Sequence, residues 1–411
     1  MNKKIHLSII YALCSMLCFA PLAAQSDTGE FDLNRWNTIL NQIQDRAIAA
    51  KVSNAVINDT IQNAVFVPQV VARDMKQVTA KPALDAYLAA RLTPEKIGAG
   101  VRMGKTYPTL LKKVEKNYGV PRNVILSFWA LETNYGTFKG NHKISDSFVT
   151  LVYDGRREKF FIDQLISLMK LATASNLPIS AYIGSWDGGL GHFQFMPSTL
   201  EVYGVDGNND GEIDVVNNIS DAMCSAGNYL SKLGWDNTEK ILREVTLPDG
   251  FDPSMCDGKT KKTLDDWAAI GITNPDGTAI PSGNKIAGIV CDAACCAGNS
   301  GDGAGAAPAG QPDAGTTAGA ADANNVPAGA GVAVPPDVTD AAAASTAPIT
   351  DNTATATADN AAAGTTVAAA PTPTKKACRA FLTYANFYRI KKWNNSNSYA
   401  IAIALLSEEL K

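Results

Sequence analysis

A mainly α-helical body with a few short strands is the fold this sequence predicts, and three features predict it. Large apolar residues recur at three- and four-residue spacings through Phe31, Trp36, Ile39, Leu40 and Ile43, the period of a helix with one buried face. Thr93-Pro94 pairs a capping residue with a proline at the first helical position. Short connections join such segments from Phe31 to about Leu233, which suits neighbouring helices of a single lobe.

The chain starts with a targeting pattern. Asn2-Lys3-Lys4 is positive, Leu7 to Ala20 is mostly apolar, and Pro21-Leu22-Ala23-Ala24 ends in small residues, so residues 1–24 read as a signal peptide. The apolar run is short for a membrane span. Neither Cys14 nor Cys18 follows the small residues of a lipoprotein signal, so a soluble periplasmic product is expected, with a lipid anchor the lesser alternative. A formal charge of −4 argues against a protein that coats nucleic acid. Hydrophobic residues make up 46% of the chain, but much of that is alanine from one biased stretch, so the core is smaller than the figure suggests.

Residues 25–296 are expected to form the first part of a catalytic domain. Within it, Val120-Pro121 through Phe128-Trp129-Ala130-Leu131-Glu132-Thr133-Asn134-Tyr135-Gly136 reads as a helix that begins near Pro121 and ends near Gly136. Glu132 then falls in the last turn, beside large apolar neighbours. Desolvation and the negative end of the helix dipole both raise its pKa. A carboxylic acid kept protonated near neutral pH is what a glycosidase requires of its general acid. In isolation, an ordinary solvated glutamate at a helix end would look the same. A second segment, Gly184-Ser185-Trp186-Asp187-Gly188-Gly189-Leu190-Gly191-His192-Phe193-Gln194, has glycines that let backbone approach a ligand, before a helix starting at Pro197.

A third segment, Asp206-Gly207-Asn208-Asn209-Asp210-Gly211-Glu212-Ile213-Asp214, sets oxygen ligands at alternate positions around a turn glycine, like the start of an EF-hand loop. The usual late glutamate is missing, with Asn217 in its place.

Six cysteines follow the signal: Cys224, Cys256, Cys291, Cys295, Cys296 and Cys378. An even count in an oxidising compartment reads as disulfides. A zinc site competes, but thiolate pairs at two-residue spacing are absent and the three histidines lie far from the cluster in sequence.

Composition changes after Cys296. From Ala297 to Thr374 there is no lysine, arginine or aromatic residue, so residues 297–377 read as a disordered Ala/Gly/Thr/Pro-rich insertion. Residues 378–411 are expected to be ordered again and to return to the same body, closing on a helix from Tyr399 to Leu410. A disulfide from Cys378 to one of Cys291, Cys295 or Cys296 would pin the ends of the insertion.

The E-T-N-Y-G element at Glu132 and the G-H-F-Q-F-M-P-S-T element at Gly191, about sixty residues apart, closely resemble the lytic murein transglycosylase B family. The resemblance extends to Tyr153-Asp-Gly-Arg156-Arg157, to Asp221 through Asn228-Tyr229-Leu230, and to Asn386 through Trp393-Asn394 and Tyr399. It covers roughly Phe31 to Lys285 and Cys378 to Leu410. It implies a lysozyme-like helical fold with a deep substrate groove, and Glu132 as the single catalytic acid and base. Ser185 would contact the N-acetylmuramoyl sugar, and Asn394 would stabilise the reacting sugar. Arg156 and Arg157 would line the groove and suit carboxylates. Gln194, Tyr229 and Tyr399 match further groove residues, with core packing the alternative for the two tyrosines. Trp393 departs from the tyrosine often found there, keeping the aromatic face and losing the hydroxyl. The family also places a late acidic ligand at the position of Asp221. The metal set is therefore Asp206, Asn208, Asp210, the Glu212 carbonyl and Asp221 around a structural calcium, with no cofactor for catalysis.

The expected reaction is cleavage of the β-1,4 bond between N-acetylmuramic acid and N-acetylglucosamine in peptidoglycan, with formation of 1,6-anhydromuramoyl products. The expected partners are glycan strands and proteins of cell-wall synthesis or secretion, for a monomeric enzyme that binds no nucleic acid. A muramidase-type hydrolase is one rival, and it needs a second carboxylate, for which Asp187 is the nearby candidate. A non-catalytic peptidoglycan-binding protein is the other.

Overall fold

The computed structural model describes residues 31–76, 83–292 and 379–411. The expected signal peptide, the insertion, and the cysteines Cys295, Cys296 and Cys378 lie outside the described residues.

Helices dominate the N-terminal part, and local chemistry delimits them. Helix α1 (Leu33–Ala49) starts where the Asp32 carboxylate accepts the N–H groups of Asn34 and Arg35. Helices α2 (Asn54–Gln62), α3 (Pro68–Lys76) and α4 (Leu84–Arg91) follow. Thr93 caps α5 (Pro94–Thr106) by accepting the Lys96 N–H, with Pro94 at the first position as expected. Next come α6 (Pro108–Tyr118), stopped by left-handed Gly119, and α7 (Arg122–Thr133). Helices α8 (Ile144–Asp154), α9 (Glu158–Ser175), α10 (Pro197–Tyr203) and α11 (Ile219–Lys232) complete the lobe. A two-residue antiparallel pair, β1 (His142–Lys143) with β2 (Ile183–Gly184), crosses beside α8.

At the centre of the lobe, α7 is buried from Asn123 to Ala130. The C-terminal helix α14 (Asn397–Glu409) lies against it, with Tyr399 to Ala404 buried without interruption. A helix apolar all round belongs in the middle of a core, and α14 occupies that place.

Beyond α11 the chain builds a four-stranded antiparallel sheet. It contains β3 (Leu242–Val245), β4 (Lys262–Thr263), β5 (Ile286–Cys291) and β6 (Ala380–Thr383), in the order β3-β6-β5-β4. The short α12 (Leu264–Ala269) packs over one face. Side chains alternate between two cores. Val290 and Phe381 join the helical core, whereas Ala287, Ile289, Ala380 and Leu382 join a second core with Phe251, Leu264 and Trp267. Both faces are therefore covered, and the sheet is the wall between the two cores. The expectation of a few short strands holds, and four of them make a sheet with its own core.

Strand β6 comes from the far side of the insertion. It pairs with β5 so that Cys291 faces Ala380, and the Asp292 N–H bonds the Arg379 carbonyl. The two described ends thus meet in one ladder, and α13 (Ala385–Trp393) then carries the chain into the helical lobe. Asn386, fully buried, staples α13 to the loop before β3 by bonding the carbonyls of Asp236 and Glu239.

Two expectations need correction. Cys291 pairs with Cys256, so it is not a partner for Cys378, and Cys224 is a buried free thiol, so the six cysteines do not all pair. Cys224 lies on the inward face of α11, and burial pushes its thiol up to about 11. The left-handed turn that ends α7 begins at Asn134, two residues before Gly136.

Candidate active site

The end of α7 is defined by packing on both sides. Asn134, Tyr135 and Gly136 all have positive φ (50°, 59° and 83°), so the chain reverses sharply just after Glu132. Two bonds bolt the turn to the Gly-rich loop. Thr133 donates its hydroxyl to the His192 carbonyl at 2.7 Å, and the Trp129 indole N–H donates to His192 Nδ1 at 3.1 Å. Burial pushes His192 down to about 4, so it is neutral and acts as an acceptor.

Glu132 remains partly accessible and faces the junction of three elements. Its Oε1 accepts the Tyr399 hydroxyl at 2.5 Å and the Trp393 indole N–H at 3.0 Å. Among the described residues no side chain bonds Oε2. Loss of water pushes the carboxyl up to about 7. The Tyr399 and Trp393 hydrogen bonds pull the other way, as does the more distant Arg91, while the charge of Asp187 adds to the rise. Desolvation wins, and the group is poised to hold a proton near neutrality.

Trp393 is held by a cage of rings. Phe128 lies 4.6 Å away, Tyr229 5.2 Å, Phe195 5.3 Å and Phe193 6.3 Å, centroid to centroid. Tyr229 is 1% exposed and stacks behind Trp393, so its side chain backs the site instead of lining its surface. The hydroxyl absent at Trp393 is made good by the indole N–H, which supplies the donor.

The Gly-rich loop approaches from the other side. Gly191 (φ 66°) runs so close to the Val215 carbonyl that a Cβ would sit 2.1 Å from it. The Ser185 hydroxyl donates to Asp187 Oδ1 at 2.5 Å and accepts the Gly189 N–H at 2.8 Å. Gln194 donates its amide to the carbonyls of Lys139 and Gly191. Asn394 caps the end of α13, half-buried, one residue after Trp393.

Arg156 and Arg157 are tied down elsewhere, at the α8–α9 corner. Both pair with Asp74 of α3, which is 5% exposed, and Arg156 also pairs with Asp154. No hydrogen bond among the described residues links them to the Glu132 group. Tyr87 and Arg91 of α4 were not singled out by the sequence, yet both interact electrostatically with Glu132. Their one-turn spacing, with Arg91 over the Tyr87 ring at 5.3 Å, was the available signal.

The Asp/Asn loop does not gather its acids. Asp206 accepts the N–H groups of Asn209, Asp210 and Gly211, and buried Asp221 accepts those of Gly207 and Asp214. Among the described residues no three acidic, histidine or cysteine side chains converge on a point that could hold a metal. Of the residues expected to hold a metal, Asp206, Asp210 and Asp221 turn carboxylate oxygens onto backbone N–H groups, and the Asn208 amide donates to Asp210. The loop still leads into the active site, since Val215 accepts the His192 N–H and Val216 accepts the Lys139 ammonium.

Comparison with known proteins fits this geometry. The family described as "Transglycosylase SLT domain" matches residues 35–298 and 323–408. Over 184 residues the chain is 30% identical to membrane-bound lytic murein transglycosylase B of Escherichia coli, covering 44% of this chain and 50% of that protein. The chain thus spans about half the length of the curated relative it matches. SltB3 of Pseudomonas aeruginosa, solved with NAG-NAM-pentapeptide, is similar at 25% identity and a TM-score of 0.67, over 91% of this chain and 79% of that one. Escherichia coli lytic transglycosylase Slt35, solved with calcium, shares the fold at 20% identity and a TM-score of 0.64, over 90% of this chain and 92% of that one.

Proposed function

The chain belongs to the SLT transglycosylase domain family, and on that premise we propose that it is a peptidoglycan lytic transglycosylase, with Glu132 as both acid and base. The observation that carries the reading is the asymmetric hold on Glu132. Both protein donors bond Oε1, so the proton of the neutral acid belongs on Oε2. Oε2 delivers that proton to the glycosidic oxygen between N-acetylmuramic acid and N-acetylglucosamine, and the C–O bond breaks. The new carboxylate keeps its two hydrogen bonds, then removes the proton from the muramoyl 6-hydroxyl as that oxygen bonds C1. The products are a 1,6-anhydromuramoyl end and a free N-acetylglucosamine hydroxyl. Glu132 ends protonated again and water is not consumed.

Around this centre, Ser185, Gln194 and Asn394 orient the sugar, with Trp393 and Tyr399 acting through Glu132. Arg156 and Arg157 offer the remaining capacity of their guanidinium groups to lactyl or peptide carboxylates, after Asp74 has taken its share. That SltB3 binds NAG-NAM-pentapeptide supports a glycan strand with stem peptides as the substrate. A hydrolase would need Asp187 as its second carboxylate, and Oδ1 of Asp187 is already engaged by Ser185.

A structural calcium belongs to the same proposal. Asp206, Asn208, Asp210, the Glu212 carbonyl and Asp221 would hold it, the oxygen chemistry such a cation prefers. Its support is the hard-oxygen donor set and the calcium bound by Slt35. The proposed compartment is the periplasm, where the substrate lies. Among the described residues no helix is long and apolar enough to cross a membrane. The test is release of soluble muropeptides from purified sacculi by the wild-type chain and not by Glu132→Gln. Equal release by both would overturn the reading.

A further inference from the structure

The Ser185–Asp187 pair decides which kind of ligand group this part of the groove can read, an inference that rests on the glycan-cleaving function proposed above. An ionised carboxylate only accepts hydrogen bonds, so the 2.5 Å contact between Ser185 Oγ and Asp187 Oδ1 places the hydroxyl proton on Asp187. The alternative acceptor, the Gly189 carbonyl, is 3.4 Å away and is already bonded by the Ser185 N–H. A hydroxyl has one proton and two lone pairs. The proton goes to Asp187 and one lone pair takes the Gly189 N–H at 2.8 Å. One lone pair is left.

Gln194 makes the same offer. Its amide nitrogen donates to two carbonyls, those of Lys139 and Gly191, which leaves Oε1 as the acceptor end. The two acceptors converge, because a Cβ placed on Gly189 would lie 2.8 Å from both Ser185 Oγ and Gln194 Oε1. Glycine at this position keeps the space between them open. Ser185, Asp187 and Gln194 are all half-buried, so the pair is partly desolvated and still reachable.

We propose that Asp187 is a positioning residue that turns Ser185 into a hydrogen-bond acceptor, which with Gln194 Oε1 forms a two-acceptor cradle for the amide N–H of a 2-acetamido sugar. A serine free to rotate would accept or donate, and would read an amide carbonyl or a hydroxyl equally well. With its proton fixed on Asp187, it discriminates against groups that only accept.

The test is a double-mutant cycle on the full chain in the Glu132→Gln background, with chitotetraose binding measured by calorimetry. Asp187→Asn replaces the acceptor by a group that can donate to Ser185 and push the serine proton outward. Asp187→Asn and Ser185→Ala should each weaken binding about tenfold, and the double variant should be no weaker than either, since both remove one contact. A tetrasaccharide with N-methylated amides, which has no amide N–H, should bind the parent and Asp187→Asn alike. In the otherwise wild-type chain Asp187→Asn should raise KM about tenfold and leave kcat within about twofold, a split that general damage to the loop would not produce. Unchanged chitotetraose binding by Asp187→Asn, or losses that multiply, would overturn the inference and leave the proposed function standing. Failure of the parent to bind chitotetraose at all would instead bring down the reading of the groove itself.

Discussion

Glu132 is partly accessible yet pushed up to about 7, and that fact governs what happens to it with pH. Its folded pKa lies above the ordinary carboxylate range, so the stability it contributes is fully present at acid pH and is lost as pH rises through about 7. Glu132→Gln should therefore melt close to wild type at about pH 5, and roughly 2 °C or more higher at about pH 8, where the wild-type carboxylate is charged. The same substitution should lower turnover at least a hundredfold, about the smallest cost of losing a general acid. Melting curves that keep one offset at both pH values would contradict the burial argument. Tyr399→Phe removes the hydrogen bond that does most to lower this pKa, so the alkaline limb of the rate profile should move up while kcat falls. A limb that moves down, or does not move, would show that Tyr399 is not holding the charged form. Much of this centre was legible in sequence, because Glu132, Trp393 and Tyr399 sit in motifs. The donor on Trp393 was not, since a change from tyrosine to tryptophan reads as loss of a hydroxyl until the indole N–H is seen on Oε1. Tyr87 and Arg91 were missed because α4 has no motif around it and is brought to the site by packing against α14.

At the scale of elements, helices could be read from their ends. Thr93-Pro94 and Pro197 start helices as expected. The sheet could not be read in the same way. Strands β5 and β6 are buried on both faces, so they lack the alternation that marks a strand, and their pairing spans the whole insertion. From the Cys291–Ala380 register we expect that an Asn-Gly turn replacing residues 293–378 between Asp292 and Arg379 would leave the sheet paired, because two-residue hairpins suit such a ladder. A melting temperature within a few degrees of the full chain, by circular dichroism, would agree, and a chain that cannot fold would not. The Cys256–Cys291 bridge closes a loop with a sequence separation of 35, on the edge of the second core. Replacing both cysteines by serine should cost about 3–4 kcal/mol by loop closure, measured by denaturant unfolding, whereas Cys224→Ala, which breaks no bridge, should cost less. The reverse order would assign the bridge no structural part.

For the whole molecule, the Glu132 centre depends on segments far apart in the chain. Glu132 comes from α7, and its two donors come from α13 and α14, at sequence separations of 261 and 267. The sheet brings those last helices back, and the Asp/Asn loop supports the Gly-rich loop through Val215 and Val216. If calcium organises that loop, chelation should lower the melting temperature while residual turnover persists below it. Identical curves with calcium and with chelator would remove the metal from the account. The central claim is that one carboxylic acid suffices because the nucleophile is part of the substrate. A tethered 6-hydroxyl gains an effective molarity that can reach about 10⁵ M, so it outcompetes water at C1. Mass spectrometry of peptidoglycan digested in heavy-oxygen water tests this most directly. The account predicts muramoyl products one water lighter than those of hydrolysis, with no heavy oxygen incorporated. Reducing-end products carrying the label would contradict it.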